Sequence, residues 1–97
     1  MTVRVRLDLN SPTFQADFVR LEATELKQAV KTLRKLLELT WDQLYRDPGL
    51  KWEEIKSDKG LYTMRISQSC RAIVTRDADL LRLLAIHSGH DGAYGRK

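Results

Sequence analysis

Five residues in the last third of the chain combine the side chains that phosphate chemistry requires. They are Arg65, Arg71, His87, His90 and Tyr94. A guanidinium presents a planar fork that matches phosphate, and histidine is the side chain that ordinarily titrates nearest neutral pH. RNA cleavage by its own 2′-hydroxyl needs a base for that hydroxyl, cations for the pentavalent phosphate and an acid for the leaving 5′-oxygen. The set is therefore suited to RNA cleavage without a metal.

The relation between Arg65 and Arg71 depends on the register of a predicted hairpin. Apolar and polar residues alternate over residues 62–67, a polar turn is centred on Gln68, and a second strand follows over residues 70–76. With the turn centred there, Arg65 and Arg71 lie opposite each other on one face, where like charges repel. Two arginines placed in this way can bind an anion such as phosphate between them. A shift of one residue would separate them into two independent surface arginines.

A metal site at His87, His90 and Asp91 is the weaker interpretation of the C-terminal residues. The chain has only two histidines and one cysteine, Cys70, so nothing further of these types completes a structural site. We expect neither a metal nor a cofactor. The alternative role of His87 is that of a strand-end histidine bonded to backbone groups, and Cys70 is interpreted as a small core residue.

The residues before the hairpin are predicted to form its support. Residues 3–9 alternate apolar and charged side chains, which indicates a half-buried strand. Ser11 followed by Pro12 indicates the start of a helix, a second helix is predicted from about Thr24, and Thr40 begins a capping-box sequence for a further helical turn. The predicted core stripe of the second helix is Leu26, Ala29, Val30, Leu33, Leu36 and Leu37.

The order of these elements predicts the fold class. A turn over residues 77–79 leads into a third strand over 80–87, which is apolar on both faces apart from Arg82 and is therefore placed centrally. Helices that precede the successive strands, instead of alternating with them, indicate an α+β domain spanning residues 1–97. We expect an N-terminal strand and two or three helices packed on a twisted antiparallel four-stranded sheet.

Composition limits the class of protein. A chain of 97 residues with a net charge of +4 fits one globular domain, and residues 60–97 hold six Lys/Arg against three Asp/Glu. This excess suits a polyanion, or simply a solubilising surface. No apolar run approaches the roughly 20 residues of a membrane span. The charged N-terminus does not resemble a signal peptide, and a single cysteine fits the cytoplasm.

The C-terminal motifs together resemble the RelE/ParE superfamily of bacterial toxins, the toxin halves of type II toxin–antitoxin pairs. The matching segments are Leu61-Tyr62-x-x-Arg65-Ile66, Cys70-Arg71-Ala72-Ile73-Val74, Ala85-Ile86-His87 and His90-Asp91-x-x-Tyr94. The resemblance covers about the last 40 residues well. It departs from the family at Thr63 and Met64, where some members have a lysine cluster, and at Cys70, where an aromatic residue or histidine is frequent.

The resemblance implies an activity and roles for particular residues. The RelE-like branch cleaves mRNA in the ribosomal A site without metal, which inhibits translation and arrests growth. Arg71 stands where the family has its phosphate-binding arginine, and Arg65 matches a basic position on the preceding strand. His90 and Tyr94 fall in the region of the C-terminal catalytic residues. Glu53 or Glu54 lies near the place where some members have a catalytic glutamate: we treat them as alternative acid–base candidates.

The same resemblance implies partners and leaves an alternative. We expect a cognate antitoxin in a toxin–antitoxin hetero-oligomer, mRNA and the ribosome as further partners, and no membrane. Lys56, Lys59 and His87 are additional candidates for contacts with RNA phosphates. The ParE-like branch shares the fold, poisons DNA gyrase and lacks the nuclease residues, so a gyrase toxin is the alternative. A third is an RNA- or protein-binding domain of the same fold without catalysis.

Overall fold

The structure, a computed structural model, describes residues 3–88 as three helices and a five-stranded sheet. The helices are α1 (Pro12–Val19), α2 (Ala23–Leu36) and α3 (Trp41–Arg46); the strands are β1 (Arg6–Asp8), β2 (Glu53–Glu54), β3 (Tyr62–Arg65), β4 (Cys70–Asp77) and β5 (Leu80–Ser88). The strand order is β1-β5-β4-β3-β2. None of the helices in this part of the chain has the length and apolar character to cross a membrane.

The α+β class is confirmed, whereas the four-stranded antiparallel sheet is wrong in both strand number and direction. β1 runs parallel to β5, with Leu7 paired to Leu81. Three helices and three strands separate β1 from β5 in the chain, which leaves room for a parallel pairing that a short hairpin could not provide. The fifth strand, β2, lies in a charged segment for which no strand was predicted. Its two residues are too few to show an alternating pattern.

One face of the sheet packs against the helices and forms the core. The buried sheet residues include Met64, Ala72, Val74, Leu81 and Leu83, and the helices contribute Phe14, Ala29, Leu36 and Leu44. The predicted stripe of α2 is therefore correct at Ala29 and Leu36 but wrong at Leu37, which is 50% exposed. Leu37 is the C-cap of α2, so it lies past the last turn that faces the sheet.

Helix α1 covers the part of β5 that β1 does not reach. β1 pairs only with residues 80–82 of β5. Farther along, the Ser11 hydroxyl donates a 2.9 Å hydrogen bond to the Leu84 carbonyl, and the Asp17 carboxylate accepts one of 2.9 Å from the Ile86 N–H. Ser11 also caps α1, as predicted, by accepting from the Phe14 N–H. Side chains thus satisfy backbone groups at a strand edge.

Helix α3 closes the opposite end of the core. The predicted capping box is confirmed, because the Thr40 hydroxyl and the Gln43 amide each accept a hydrogen bond from the other residue's backbone N–H. The Trp41 indole N–H donates to the carbonyl of Asp79, and the Arg76 guanidinium carbon lies 4.1 Å from the centre of the Trp41 ring. The turn between β4 and β5 is therefore tied to α3.

We predict that Ser11→Ala lowers the free energy of unfolding by about 1–2 kcal/mol, because α1 loses its cap and the Leu84 carbonyl loses its donor. Urea denaturation measures the change. Thr13→Ala is the matched control, since Thr13 is exposed in the first turn of α1 and should change stability by less than about 0.5 kcal/mol. An equal loss in both variants would contradict the assigned role of Ser11.

Candidate functional site

Arg65, Arg71 and His87 form one row across three neighbouring strands. Arg65 of β3 is the register partner of Arg71 on β4, and Arg71 is the register partner of His87 on β5. Directly opposed residues have their Cβ atoms roughly 5 Å apart on the same face. The predicted opposition of the two arginines is confirmed, and the structure adds His87 beside them. The face that holds this row is the one turned away from the helices.

Arg71 is held in place by two hydrogen bonds from a single nitrogen. Its Nη2 donates to the carbonyl of Lys51 at 2.8 Å and to the Thr63 hydroxyl at 2.9 Å. The Arg71 side chain is only 16% exposed, and Thr63 is 4% exposed. These bonds occupy Nη2 and leave three N–H groups on Nε and Nη1. A guanidinium fixed in this way is oriented before any anion arrives.

Of the two predicted glutamates, the structure brings Glu53 to Arg71. Glu53 pairs with Thr63, and its Oε1 lies 3.8 Å from Nη2 of Arg71. Glu54 is the next residue of the strand, so its side chain leaves the opposite face. The Glu53 carboxylate is 69% exposed, which leaves it accessible beside a more deeply placed cation. A carboxylate in this position has the geometry to accept a proton from a group bound to Arg71.

The electrostatics of the row explain how two opposed arginines are tolerated. Their repulsion opposes folding. Around Arg71, the carbonyl of Lys51, the hydroxyl of Thr63 and the carboxylate of Glu53 all present oxygen atoms to the positive charge. Within residues 3–88, the Arg65 guanidinium has no such partner, while its backbone N–H donates to the carbonyl of Leu50. Arg65 therefore remains a cation available to an external anion.

The loop before β2 supplies the carbonyl that holds Arg71. Lys51 has a φ of 50°, the left-handed region that L-residues seldom adopt. The loop is fixed at its start by Asp47, which forms a 2.7 Å ion pair with Lys35 and accepts a hydrogen bond from the Gly49 N–H. The Lys35 ammonium and the Gly49 N–H hold the pKa of the Asp47 carboxyl below its ordinary value. Helix α2 thereby positions the loop that positions Arg71.

Helix α2 also holds the turn between β3 and β4. The Glu25 carboxylate accepts hydrogen bonds from the hydroxyls of Ser67 and Ser69, the second at 2.7 Å. One turn farther along the helix, the Gln28 side-chain carbonyl accepts from the Gln68 N–H at 2.7 Å. These bonds fix the turn that sets the opposition of Arg65 and Arg71. We refer to Glu25, Gln28 and residues 67–69 as the turn clamp.

The remaining predicted residues are not brought into the row. Lys56 and Lys59 lie exposed in the loop between β2 and β3. His90 and Tyr94 lie outside the described residues, as does Asp91. Within residues 3–88, no group of three or more His, Cys, Asp or Glu side chains is placed to hold a metal ion.

Two supporting features were missed in the sequence. No role in the site was predicted for Thr63, although alternation places it on the same face as Arg65 and hence near Arg71. Glu25 was not singled out at all. Its polar partners Ser67 and Ser69 formed a recognisable turn, but no sequence signal links that turn to a helix some 42 residues earlier.

Comparison with solved structures defines the class of fold. The structural neighbours are RelE, YoeB and YafQ toxins of toxin–antitoxin systems, all of the RelE/ParE-like toxin superfamily. The resemblance predicted from the C-terminal motifs is confirmed at the level of the fold. No family model matches the sequence, and no curated protein matches it significantly.

Three neighbours illustrate the likeness. RelE of Methanococcus jannaschii, solved with the antitoxin RelB, has a TM-score of 0.62 at 13% identity, covering 87% of this chain and 89% of its own. YoeB of Staphylococcus aureus, solved as a dimer, has a TM-score of 0.56 at 25% identity, covering 86% of this chain and 94% of its own. A chain of the Escherichia coli DinJ–YafQ complex has a TM-score of 0.58 at 17% identity, covering 95% of this chain and 100% of its own.

We predict that Glu25→Gln lowers the free energy of unfolding at pH 7 by about 1 kcal/mol, since hydrogen bonds to a charged acceptor are replaced by weaker ones. The hydroxyls of Ser67 and Ser69 lower the pKa of Glu25 from its ordinary 4.5. A lowered pKa adds stability above the unfolded-state value, and this is lost as the pH falls through the folded-state value. The difference between wild type and variant should therefore shrink as the pH is lowered below 4.5.

Denaturant titrations at neutral and acid pH measure this difference. Glu22→Gln is the matched control, because Glu22 is an exposed carboxylate of the same helix end that forms no capping hydrogen bond. It should leave stability at pH 7 close to that of the wild type. A Glu25→Gln difference that persists unchanged into acid would show that the carboxylate charge does not hold the turn.

Proposed function

We propose that this chain is the toxin of a type II toxin–antitoxin pair and acts as an endoribonuclease on translated mRNA. The observation on which the proposal rests is the row of Arg65, Arg71 and His87, with Glu53 beside Arg71, on a sheet with the fold of RelE, YoeB and YafQ. Three of the neighbouring toxins were solved with antitoxins named RelB, YefM and DinJ. By analogy, we propose a cognate antitoxin as partner and the bacterial cytoplasm as location.

The proposed reaction is attack of an RNA 2′-hydroxyl on the adjacent phosphate. Arg71 binds the scissile phosphate with Nε and Nη1 and stabilises the charge that develops on the pentavalent phosphorus. Arg65 provides a second positive charge next to it. Because the Arg71 guanidinium is already held by Lys51 and Thr63, it needs little reorganisation as the charge builds up.

Proton transfer is assigned to residues around this phosphate. Glu53 is proposed to accept the 2′-hydroxyl proton, because its carboxylate is exposed next to Arg71. The leaving 5′-oxygen requires an acid on the other side of the phosphorus. His87 lies on the opposite side of Arg71 from β3, and His90 and Tyr94 follow it in the chain. We propose that this C-terminal group provides the acid.

We predict that Arg71→Ala reduces RNA cleavage by about 10²–10³-fold, since a preorganised cation facing the phosphate is removed. Expression without an antitoxin, followed by primer extension on translated messages, measures cleavage and growth arrest together. Arg71→Lys should lose most of the activity despite its charge, because an ammonium lacks the planar fork. His90→Ala should also abolish growth arrest.

The control for these variants is Arg46→Ala, an exposed arginine of α3 with no ion-pair partner among the described residues. It should arrest growth like the wild type. Circular dichroism and a melting curve confirm that each variant is folded. Full toxicity in both Arg71→Ala and His90→Ala would refute the nuclease, and a DNA damage response without mRNA cleavage would indicate a gyrase toxin instead.

The proposed role of Glu53 as general base is tested with Glu54, the next residue of β2, as the control. We predict that Glu53→Gln slows single-turnover cleavage by about 10²-fold, as expected when a general base is lost. Glu54→Gln changes the same functional group one residue away, on the opposite face of β2, and should cleave at the wild-type rate. Equal rates in the two variants would assign the base to another residue.

A further inference from the structure

A pocket of about 500 Å³ lies between α2, the loop before β2 and the end of β3. Apart from Arg65, its lining residues are not members of the row described above. Its lining is Gln28, Lys31, Thr32, Lys35, Gly49, Leu50, Arg65, Ile66, Ser67 and Gln68. The volume lies in the range of small-molecule sites, about 300–1,000 Å³.

The lining is cationic and polar. Lys31, Lys35 and Arg65 are its charged members, and none of the lining residues is acidic. Lys35 is neutralised by Asp47 from outside the pocket. Within the described part of the chain, the Lys31 ammonium and the Arg65 guanidinium have neither a hydrogen-bond nor an ion-pair partner. The pocket therefore presents two uncompensated positive charges to a ligand.

Arg65 connects this pocket to the candidate active site. It lines the pocket and is also the register partner of Arg71. An RNA strand with a phosphate bound at Arg71 on β4 needs to extend only to the neighbouring β-strand, β3, to reach Arg65. Arg65 is thus a cation that the row and the pocket share, and Lys31 on α2 is a further cation of the pocket lining.

We propose that the pocket is a subsite for a nucleotide that flanks the scissile phosphate of the bound RNA. This proposal rests on the endoribonuclease function proposed above. Lys31 and Arg65 bind the phosphate, while the exposed amide of Gln68 lies where a base or ribose can hydrogen-bond. The subsite makes Lys31 a residue that binds substrate without taking part in the reaction.

A nucleotide fits this pocket better than an acidic peptide does. A peptide helix that docks into a groove needs apolar pockets for its anchor side chains. The apolar lining residues here, Leu50 and Ile66, are 2% and 0% exposed, so they offer almost no surface to such an anchor. What the pocket offers to a ligand is positive charge and side-chain amides.

The test compares Lys31→Ala with Lys27→Ala. Both lysines are exposed on α2 one turn apart, but only Lys31 lines the pocket. Binding of a short single-stranded RNA with every 2′-hydroxyl methylated, which cannot be cleaved, is followed by fluorescence anisotropy over a salt series. Lys31→Ala should raise Kd about fivefold and lower the slope of log K against log salt by about 0.7. Lys27→Ala should change neither quantity.

The outcomes separate the subsite from the proposed function. If the wild-type protein cleaves translated messages and Arg71→Ala does not, while Lys31→Ala and Lys27→Ala bind the methylated RNA equally, the subsite alone is refuted. If the wild-type protein does not cleave, both proposals fall. A fluorescent oligoglutamate peptide is titrated in parallel. Loss of its binding in Lys31→Ala with RNA binding intact would identify a protein-binding pocket and overturn the proposal.

Discussion

The turn clamp is the constraint on which the site depends. A one-residue slip of the β3–β4 hairpin would move every side chain of a strand to the other face. The core would then lose Met64 and Ala72, and the site would lose the opposition of Arg65 and Arg71. Glu25 and Gln28 hold the turn itself by hydrogen bonds to its hydroxyls and backbone. The register is therefore specified twice, by burial along the strands and by polar contacts at their end.

The same helix sets the second requirement, the orientation of Arg71. Lys35 pairs with Asp47, Asp47 caps the turn at Gly49, and the loop then turns at Lys51 so that its carbonyl meets the guanidinium. Because Glu25, Gln28 and Lys35 all lie on α2, one rigid element positions both the register and the arginine. It also forms one wall of the cationic pocket. Binding groups placed on a rigid support need little ordering when a ligand arrives.

Local patterns in the sequence predicted much of this fold. The caps at Ser11 and Thr40 and the hairpin turn at Gln68 follow from short-range chemistry, and each is confirmed. The strand predicted to lie centrally, β5, is second in the sheet, and β4 is the central strand. The parallel pairing of β1 and the two-residue strand β2 depend on contacts distant in sequence, which periodicity cannot detect. For the site, the opposition of Arg65 and Arg71 was predicted, but the choice of Glu53 over Glu54 required the register of β2.

The tethering of Arg71 bears on how its charge is used. A mobile surface arginine pays side-chain entropy when it binds an anion, and its interaction is screened by solvent. The Arg71 side chain is already ordered in the folded protein, since it is 16% exposed and is fixed by Lys51 and Thr63. The fold also bears the repulsion of Arg65. An anion bound between the two arginines reduces that repulsion, which makes binding more favourable. Because the anion binds the folded chain and not the unfolded one, it should also stabilise the fold.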